Sequence, residues 1–136
     1  MPGSSLWLVP PQDSPLNSSL TTLIHSQIPS TYPQTITTPF SPHVTLTADT
    51  IPPTQDSEAQ QWLDDIALPS SVAALKVAIK EAQTSEAFFR KLTLRCNKSP
   101  ELCALASACR RAGTGEGEGD VRVWVVGSYA PHLSLM

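Results

Sequence analysis

Phe40-Ser41-Pro42-His43-Val44-Thr45-Leu46 and Tyr129-Ala130-Pro131-His132-Leu133-Ser134-Leu135 are one seven-residue pattern written twice. Each reads aromatic, small, Pro, His, aliphatic, hydroxyl, Leu, and the two histidines stand 89 positions apart. In an extended strand, residues two apart project to the same face. Each copy therefore predicts a strand that aims an imidazole and a hydroxyl at one target. The Pro before each His restricts the backbone and ends whatever precedes the strand. A His followed two later by Ser or Thr is weak as a signal; the shared aromatic, Pro, aliphatic and Leu make the pair informative. His25, followed by Ser26-Gln27, matches nothing and reads as a structural or surface residue.

Two such pairs facing a common cleft are the parts for acid/base chemistry on a phosphate. One imidazole, neutral, takes a proton from water, and the other, protonated, gives one to the leaving oxygen. Histidine as a residue type offers both forms near neutrality, and each role typically contributes ~10²–10⁴-fold. The hydroxyls of Thr45 and Ser134 are placed to donate to non-bridging phosphoryl oxygens, where transition-state charge collects. A strained cyclic phosphodiester suits this symmetric arrangement, because its leaving ribose oxygen departs poorly unless protonated. No metal and no cofactor are expected.

The 136 residues fit one domain, and a 40% hydrophobic fraction is enough for a core. No apolar run reaches the ~18 residues of a membrane span, and Leu6–Val9 is too short for a signal-peptide core, so the expectation is an intracellular soluble monomer. The net charge of −3 hides an asymmetry: no Lys or Arg precedes Lys76, while residues 76–136 carry nine basic and six acidic residues. That is no polybasic tract, so no stable nucleic-acid partner is expected. It is still a modest positive half that could draw a small anion. Cys96, Cys103 and Cys109 lack paired metal-ligand spacing and read as free thiols.

Along the chain, Leu6–Val9 before Pro10-Pro11 predicts a strand. Ser14-Pro15 resembles an N-cap with Pro at the first helical position, and helical spacing runs from Leu16 to Ile28, where Pro29 should stop it. Residues 29–42 read as a loop, His43–Thr47 as a strand, and Ser57–Ile66 as a short helix with Ala59, Trp62, Leu63 and Ile66 on one face. Ala73–Lys80 and Phe88–Arg95 predict a hairpin-like pair. Ser99-Pro100 starts a helix that carries Leu102, Leu105, Ala106 and Cys109 on its apolar face. Gly113–Asp120 reads as a flexible acidic connector and Val121–Val126 as a strand. The order is α+β with two approximate repeats.

At the two heptads the chain resembles the 2H phosphoesterase superfamily, named for its two H-x-[ST] motifs, and within it the fungal 2′,3′-cyclic-nucleotide phosphodiesterases. Leu6–Pro11 and Phe89–Leu92 look like segments of that family too. The resemblance implies a bilobal α+β fold with a pseudo-twofold axis, occupying 1–136 as a single domain. The first lobe lies around 40–47 and the second is incomplete after 132–136. It implies His43 and His132 as the acid/base pair, and Thr45 and Ser134 as substrate binders. The implied substrates are nucleoside 2′,3′-cyclic phosphates, opened to 2′-phosphates, and ADP-ribose 1″,2″-cyclic phosphate, a by-product of tRNA splicing. A Golgi location is also implied. Family members continue beyond the second motif and are helical before it, whereas Val121–Val126 is β-branched here. The expectation is that the second motif forms an unpaired edge strand, that His132 is poorly held, and that activity is low or absent. The rival readings on the same fold are a nucleotide or RNA-end binder without catalysis, an inactive truncated copy, and an enzyme acting on RNA ends.

Overall fold

A computed structural model describes residues 4–33, 40–52, 56–84 and 92–136. It is built on one five-stranded antiparallel sheet in the order β1-β2-β5-β4-β3. The strands are β1 (Ser4–Leu8), β2 (Val44–Thr50), β3 (Ile79–Thr84), β4 (Leu92–Cys96) and β5 (His132–Ser134). The helices are α1 (Pro15–Thr22), α2 (Ile28–Thr31), α3 (Asp56–Asp64), α4 (Pro100–Thr114) and α5 (Glu118–Gly127).

Two strand–helix–strand halves meet at the β2–β5 pair, as expected from the repeated heptad. In the first half β1 leads through α1 to β2; in the second β4 leads through α4 and α5 to β5. The helices of both halves start the same way. Ser14 accepts a hydrogen bond from the Asn17 N–H at 3.2 Å, and Ser99 accepts one from the Leu102 N–H at 3.2 Å. A Pro follows each cap, where its missing N–H costs nothing.

The three-residue β5 is the last strand in sequence and the middle one in space. This corrects the expectation of an unpaired edge at the second motif. β5 is paired on both sides: Val44 lies opposite Leu133, while Thr93, Leu94 and Arg95 face Ser134, Leu133 and His132. The Cys96 N–H to Pro131 carbonyl bond (3.0 Å) and the Leu135 N–H to Leu92 carbonyl bond (2.9 Å) extend that ladder at both ends. A short strand held at both edges satisfies its backbone groups as fully as a long one.

Val121–Val126 is helical, not a strand. Val121 and Val125, four apart, are buried against the core, whereas Val123 and Val126 are both 73% exposed. That is a helical stripe, and packing of one face outweighs the β-preference of valine. The connector before it is shorter than expected. Gly113 and Thr114 still belong to α4, and Gly115, at φ +73°, ends it in the left-handed conformation that glycine adopts at low cost. Glu116 then pairs with Arg110 at 2.9 Å.

Pro29 does not stop the first helix. Between α1 and α2 the backbone widens into a π-helical turn (Leu23–Gln27), in which the Ile28 N–H reaches the Leu23 carbonyl. A widened turn makes room for the proline ring, which in a regular helix would strike the carbonyl four residues earlier. A hairpin-like pair forms, but its first strand is not Ala73–Lys80: Ser70–Ala74 is a 3-10 turn and β3 spans Ile79–Thr84, pairing with β4. Phe88–Lys91 lies outside the described residues, as does the middle of the loop before the first motif.

The core lies on one side of the sheet. Val44, Leu133, Leu135 and Cys96 pack with Leu20, Ile24 and Ile28 from the first helix. Leu46 packs with Leu102, Leu105, Ala106 and Cys109 of α4, with Val125, and with Tyr129 just beyond α5. Between these faces β2 carries an irregularity. Consecutive β1 residues Leu6 and Trp7 oppose Thr47 and Thr45, leaving Leu46 as the extra residue. Leu46 and Thr47 are consequently both buried, as at a β-bulge.

Candidate active site

Apart from the leading aromatic, half-buried at Phe40 and buried at Tyr129, the burial of the two heptads is the same residue by residue. Pro42, Val44 and Leu46 are buried with His43 and Thr45 half-exposed; Pro131, Leu133 and Leu135 are buried with His132 and Ser134 half-exposed. Alternation along each strand thus puts the aliphatic residues under the helices and the His-hydroxyl pairs on the opposite face.

The register then brings the pairs together. With Val44 opposite Leu133, an antiparallel ladder sets His43 across from Ser134 and Thr45 across from His132. Directly opposed residues in such a ladder have Cα atoms about 4.5–5.5 Å apart. On that register the four side chains fall on the sheet face opposite the buried Val44 and Leu133.

Both imidazoles are anchored by the same bond. His43 Nδ1 lies 2.7 Å from the Ser41 carbonyl oxygen, and His132 Nδ1 lies 2.9 Å from the Ala130 carbonyl oxygen. A carbonyl only accepts, so each Nδ1 must carry its proton and donate. Each neutral ring is thereby held in the tautomer whose Nε2 has a free lone pair, the form required to accept a proton there.

The sequence did not single out Trp7 or Arg110. The Trp7 indole stacks on the His43 ring, with centroids 3.7 Å apart and planes 12° from parallel, and Phe40 meets the same ring edge-on at 6.3 Å. The signal for Trp7 was alternation in Ser5-Leu6-Trp7-Leu8, which puts Trp7 on the opposite side from the two leucines. Arg110 leaves α4 to donate to Thr47 Oγ1 at 3.3 Å, lies over the Trp124 ring at 4.8 Å, and is clamped by Glu116. Nothing in the local pattern marks a contact between residues 63 apart. A cleft of about 400 Å³ runs beside Thr45 and His132, with Arg110, Trp124 and Tyr129 in its wall.

His25, expected to be a structural or surface residue, is exposed and makes one local tie. Its Nε2 donates to the Phe40 carbonyl at 2.9 Å, tying the π-helical turn to the start of the first heptad. The equivalent aromatic of the second heptad, Tyr129, is buried, and its hydroxyl donates to the Thr45 carbonyl at 3.1 Å. The second heptad thus holds the backbone of the first directly. Burial pushes the Tyr129 phenol well above its ordinary range, with lesser contributions from Cys103, Cys96 and Cys109. The cysteines are free thiols; burial raises Cys96 and takes Cys109 up to about 11. No helix among the described residues is long and apolar enough to cross a membrane.

A mixed α/β fold built on one five-stranded antiparallel sheet agrees with a 2H phosphoesterase-like arrangement. A family model described as "Cyclic phosphodiesterase-like protein" matches residues 1–136. The chain is 42% identical over 137 residues to a 2′,3′-cyclic-nucleotide 3′-phosphodiesterase of Phaeosphaeria nodorum, covering 100% of this chain and 69% of that protein. It is 31% identical over 152 residues to a protein of the same name from Neurospora crassa, covering 100% of this chain and 71% of that protein. A third such protein, from Yarrowia lipolytica, is 33% identical over 115 residues, covering 79% of this chain and 49% of its own length. The chain belongs to the cyclic phosphodiesterase family.

Proposed function

We propose that this protein hydrolyses nucleoside 2′,3′-cyclic phosphates to nucleoside 2′-phosphates, without a metal, using His43 and His132 as its acid/base pair. The observation that supports this reading is the pairing of Val44 with Leu133, each flanked by a histidine and a hydroxyl residue. The relatives named above support the substrate class.

The cyclic phosphate lies over these four side chains. One imidazole, neutral at Nε2, takes a proton from water as the water oxygen bonds to phosphorus. The bond from phosphorus to O3′ breaks, and O3′ takes the proton from Nε2 of the other, charged imidazole. One proton enters one ring and one leaves the other, so the pair resets by exchange with solvent. Thr45 and Ser134 donate to the non-bridging oxygens, whose charge grows as water adds. The carbonyls of Ser41 and Ala130 keep each Nδ1 protonated and each Nε2 aimed outward. Trp7 fixes the plane of the His43 ring.

ADP-ribose 1″,2″-cyclic phosphate, the tRNA-splicing by-product, is the second substrate on this reading, since the same ring opening serves it. A Golgi location, implied by family resemblance, is tested by imaging the tagged protein in its own cells. The central test incubates the purified chain with cytidine 2′,3′-cyclic phosphate in the presence of a chelator. Product identity is read by chromatography, and ADP-ribose 1″,2″-cyclic phosphate is run in parallel. Formation of the 2′-phosphate supports the proposal. No turnover, a 3′-phosphate product, or loss of activity with the chelator sinks it.

A further inference from the structure

Beside the motif strands lies a cavity of about 300 Å³ that the proposed reaction does not use. Its wall includes Lys80 of β3, Arg95 of β4, Lys98 of the β4–α4 turn, and the stretch from Gly127 to Pro131 that leads into His132. Three of the lining side chains are cationic and none is acidic. All three cations are exposed. Among the described residues, the ion pair within this group joins Arg95 to Glu81 at 3.5 Å, with both side chains 48% exposed. Such a pair is loosely held and readily exchanges for another anion. Lys98 is positioned by donating to the Val126 carbonyl at 3.2 Å, at the C-terminal end of α5, where the helix favours a cation.

This cavity is tied to the motif by register. Arg95 lies directly opposite His132 in the β4–β5 ladder, so their Cα atoms are about 5 Å apart and their side chains leave the same face. The Cys96 N–H, bonded to the Pro131 carbonyl at 3.0 Å, holds the cavity wall to the start of β5. A cluster of cations spread over the two strands and the turn beside a phosphate site attracts a second anion, and the guanidinium fork suits the oxygens of a phosphate. Of the three cations, Arg95 is the one paired across from His132, and a 5′-phosphate stands one ribose away from the cyclic phosphate of the same nucleotide.

We infer that Lys80, Arg95 and Lys98 form a second anion subsite, which takes the 5′-phosphate of a nucleoside 2′,3′-cyclic phosphate. The inference rests on the reading that the cyclic phosphate sits between His43 and His132. It makes this protein a selector of 5′-phosphorylated mononucleotides over plain nucleoside cyclic phosphates.

The test uses two unreactive ligands of product type, adenosine 2′-phosphate and adenosine 2′,5′-bisphosphate, titrated calorimetrically at low salt. The expected result is that the bisphosphate binds about tenfold tighter, with the gain shrinking as salt rises. In Lys80→Gln/Arg95→Gln and in Lys98→Gln the gain falls towards nothing, while affinity for adenosine 2′-phosphate and the melting temperature stay as they were. Equal affinities, a gain that survives the substitutions, binding of neither ligand, or weakening of both ligands alike would overturn the subsite. A preference for the bisphosphate in a chain that leaves adenosine 2′,3′-cyclic phosphate intact sinks the catalytic proposal and leaves the subsite standing.

Discussion

Val44 and Leu133 face each other across the β2–β5 pair. They hold the same place in the two heptads, midway between His and hydroxyl, and both are buried. On that antiparallel register His43 falls across from Ser134, and Thr45 across from His132. A slip of one residue would turn one strand's histidine and hydroxyl to the buried side of the sheet.

His43→Ala and His132→Ala are each expected to lower kcat on a cyclic nucleotide by ~10²–10⁴-fold. The double variant should be little worse than the poorer single one, because the pair works as a unit. One ring must be neutral and the other charged, so the pH–rate profile is expected to be bell-shaped, and each single variant should lose one limb. A His43→Ala protein with the parental rate would exclude the two-histidine mechanism.

Thr45→Val and Ser134→Ala each remove a donor proposed to meet phosphoryl oxygens. The expected loss is ~10²–10³-fold, carried mainly by kcat, because the bond strengthens as charge develops. An equal effect from both variants would reflect their equivalent places in the two heptads. A change confined to KM would assign the hydroxyls to ground-state binding instead.

Tyr129→Phe deletes the hydroxyl that donates to the Thr45 carbonyl. The expected cost is about 1 kcal/mol, seen as a fall of a few degrees in melting temperature. Because the bond fixes the backbone of Thr45, kcat should fall as well. Unchanged stability would show that water replaces the bond.

Thr50 and Gly113 test the seam between β2 and α4. A Cβ on Gly113 would stand 3.1 Å from Thr50 Cβ and closer still to its Cγ2, so Gly113→Ala should destabilise by about 1–3 kcal/mol. Among the described residues, Thr50 Oγ1 is buried without a hydrogen-bond partner. Thr50→Val keeps the shape and removes that hydroxyl, so denaturant melts should show neutral or slightly raised stability. A loss above about 1 kcal/mol would mean that the hydroxyl has a partner in solution.

Alkaline pH should destabilise the fold. Burial raises Tyr129, Cys96 and Cys109, the last to about 11. Each group therefore binds its proton more tightly folded than unfolded. Their contribution is fully present below the unfolded values, about 8.5 for a thiol and 10 for a phenol. It is lost as pH rises through the folded ones. Denaturant midpoints measured from pH 7 to 10.5 should fall steadily above about pH 8.5. In a thiol-reagent assay, half-buried Cys103 should react before buried Cys96 and Cys109. Fast labelling of all three would place the buried pair in a region that opens readily.

Much of the site was legible because its parts are local. Pro-His-x-hydroxyl states which side chains share a strand face, and Ser-Pro at 14–15 and 99–100 states where two helices begin. What failed was also local. Val121–Val126 looked like a strand because valine prefers one, but Val121 and Val125 had a core to enter and Val123 and Val126 did not. Pro29 looked like a helix stop, yet a widened turn accommodates it.

By itself the sequence determined that two strands each carry a histidine and a hydroxyl on one side, since alternation is a property of the extended backbone. Only the tertiary structure decided that these strands are neighbours, that the terminal β5 is the centre of the sheet, and that Val44 faces Leu133. Trp7 on His43, Tyr129 on Thr45 and Arg95 beside His132 were likewise decided there. Pairing partners and register depend on how two helices fill the same side of one sheet, and that packing joins residues far apart in the chain.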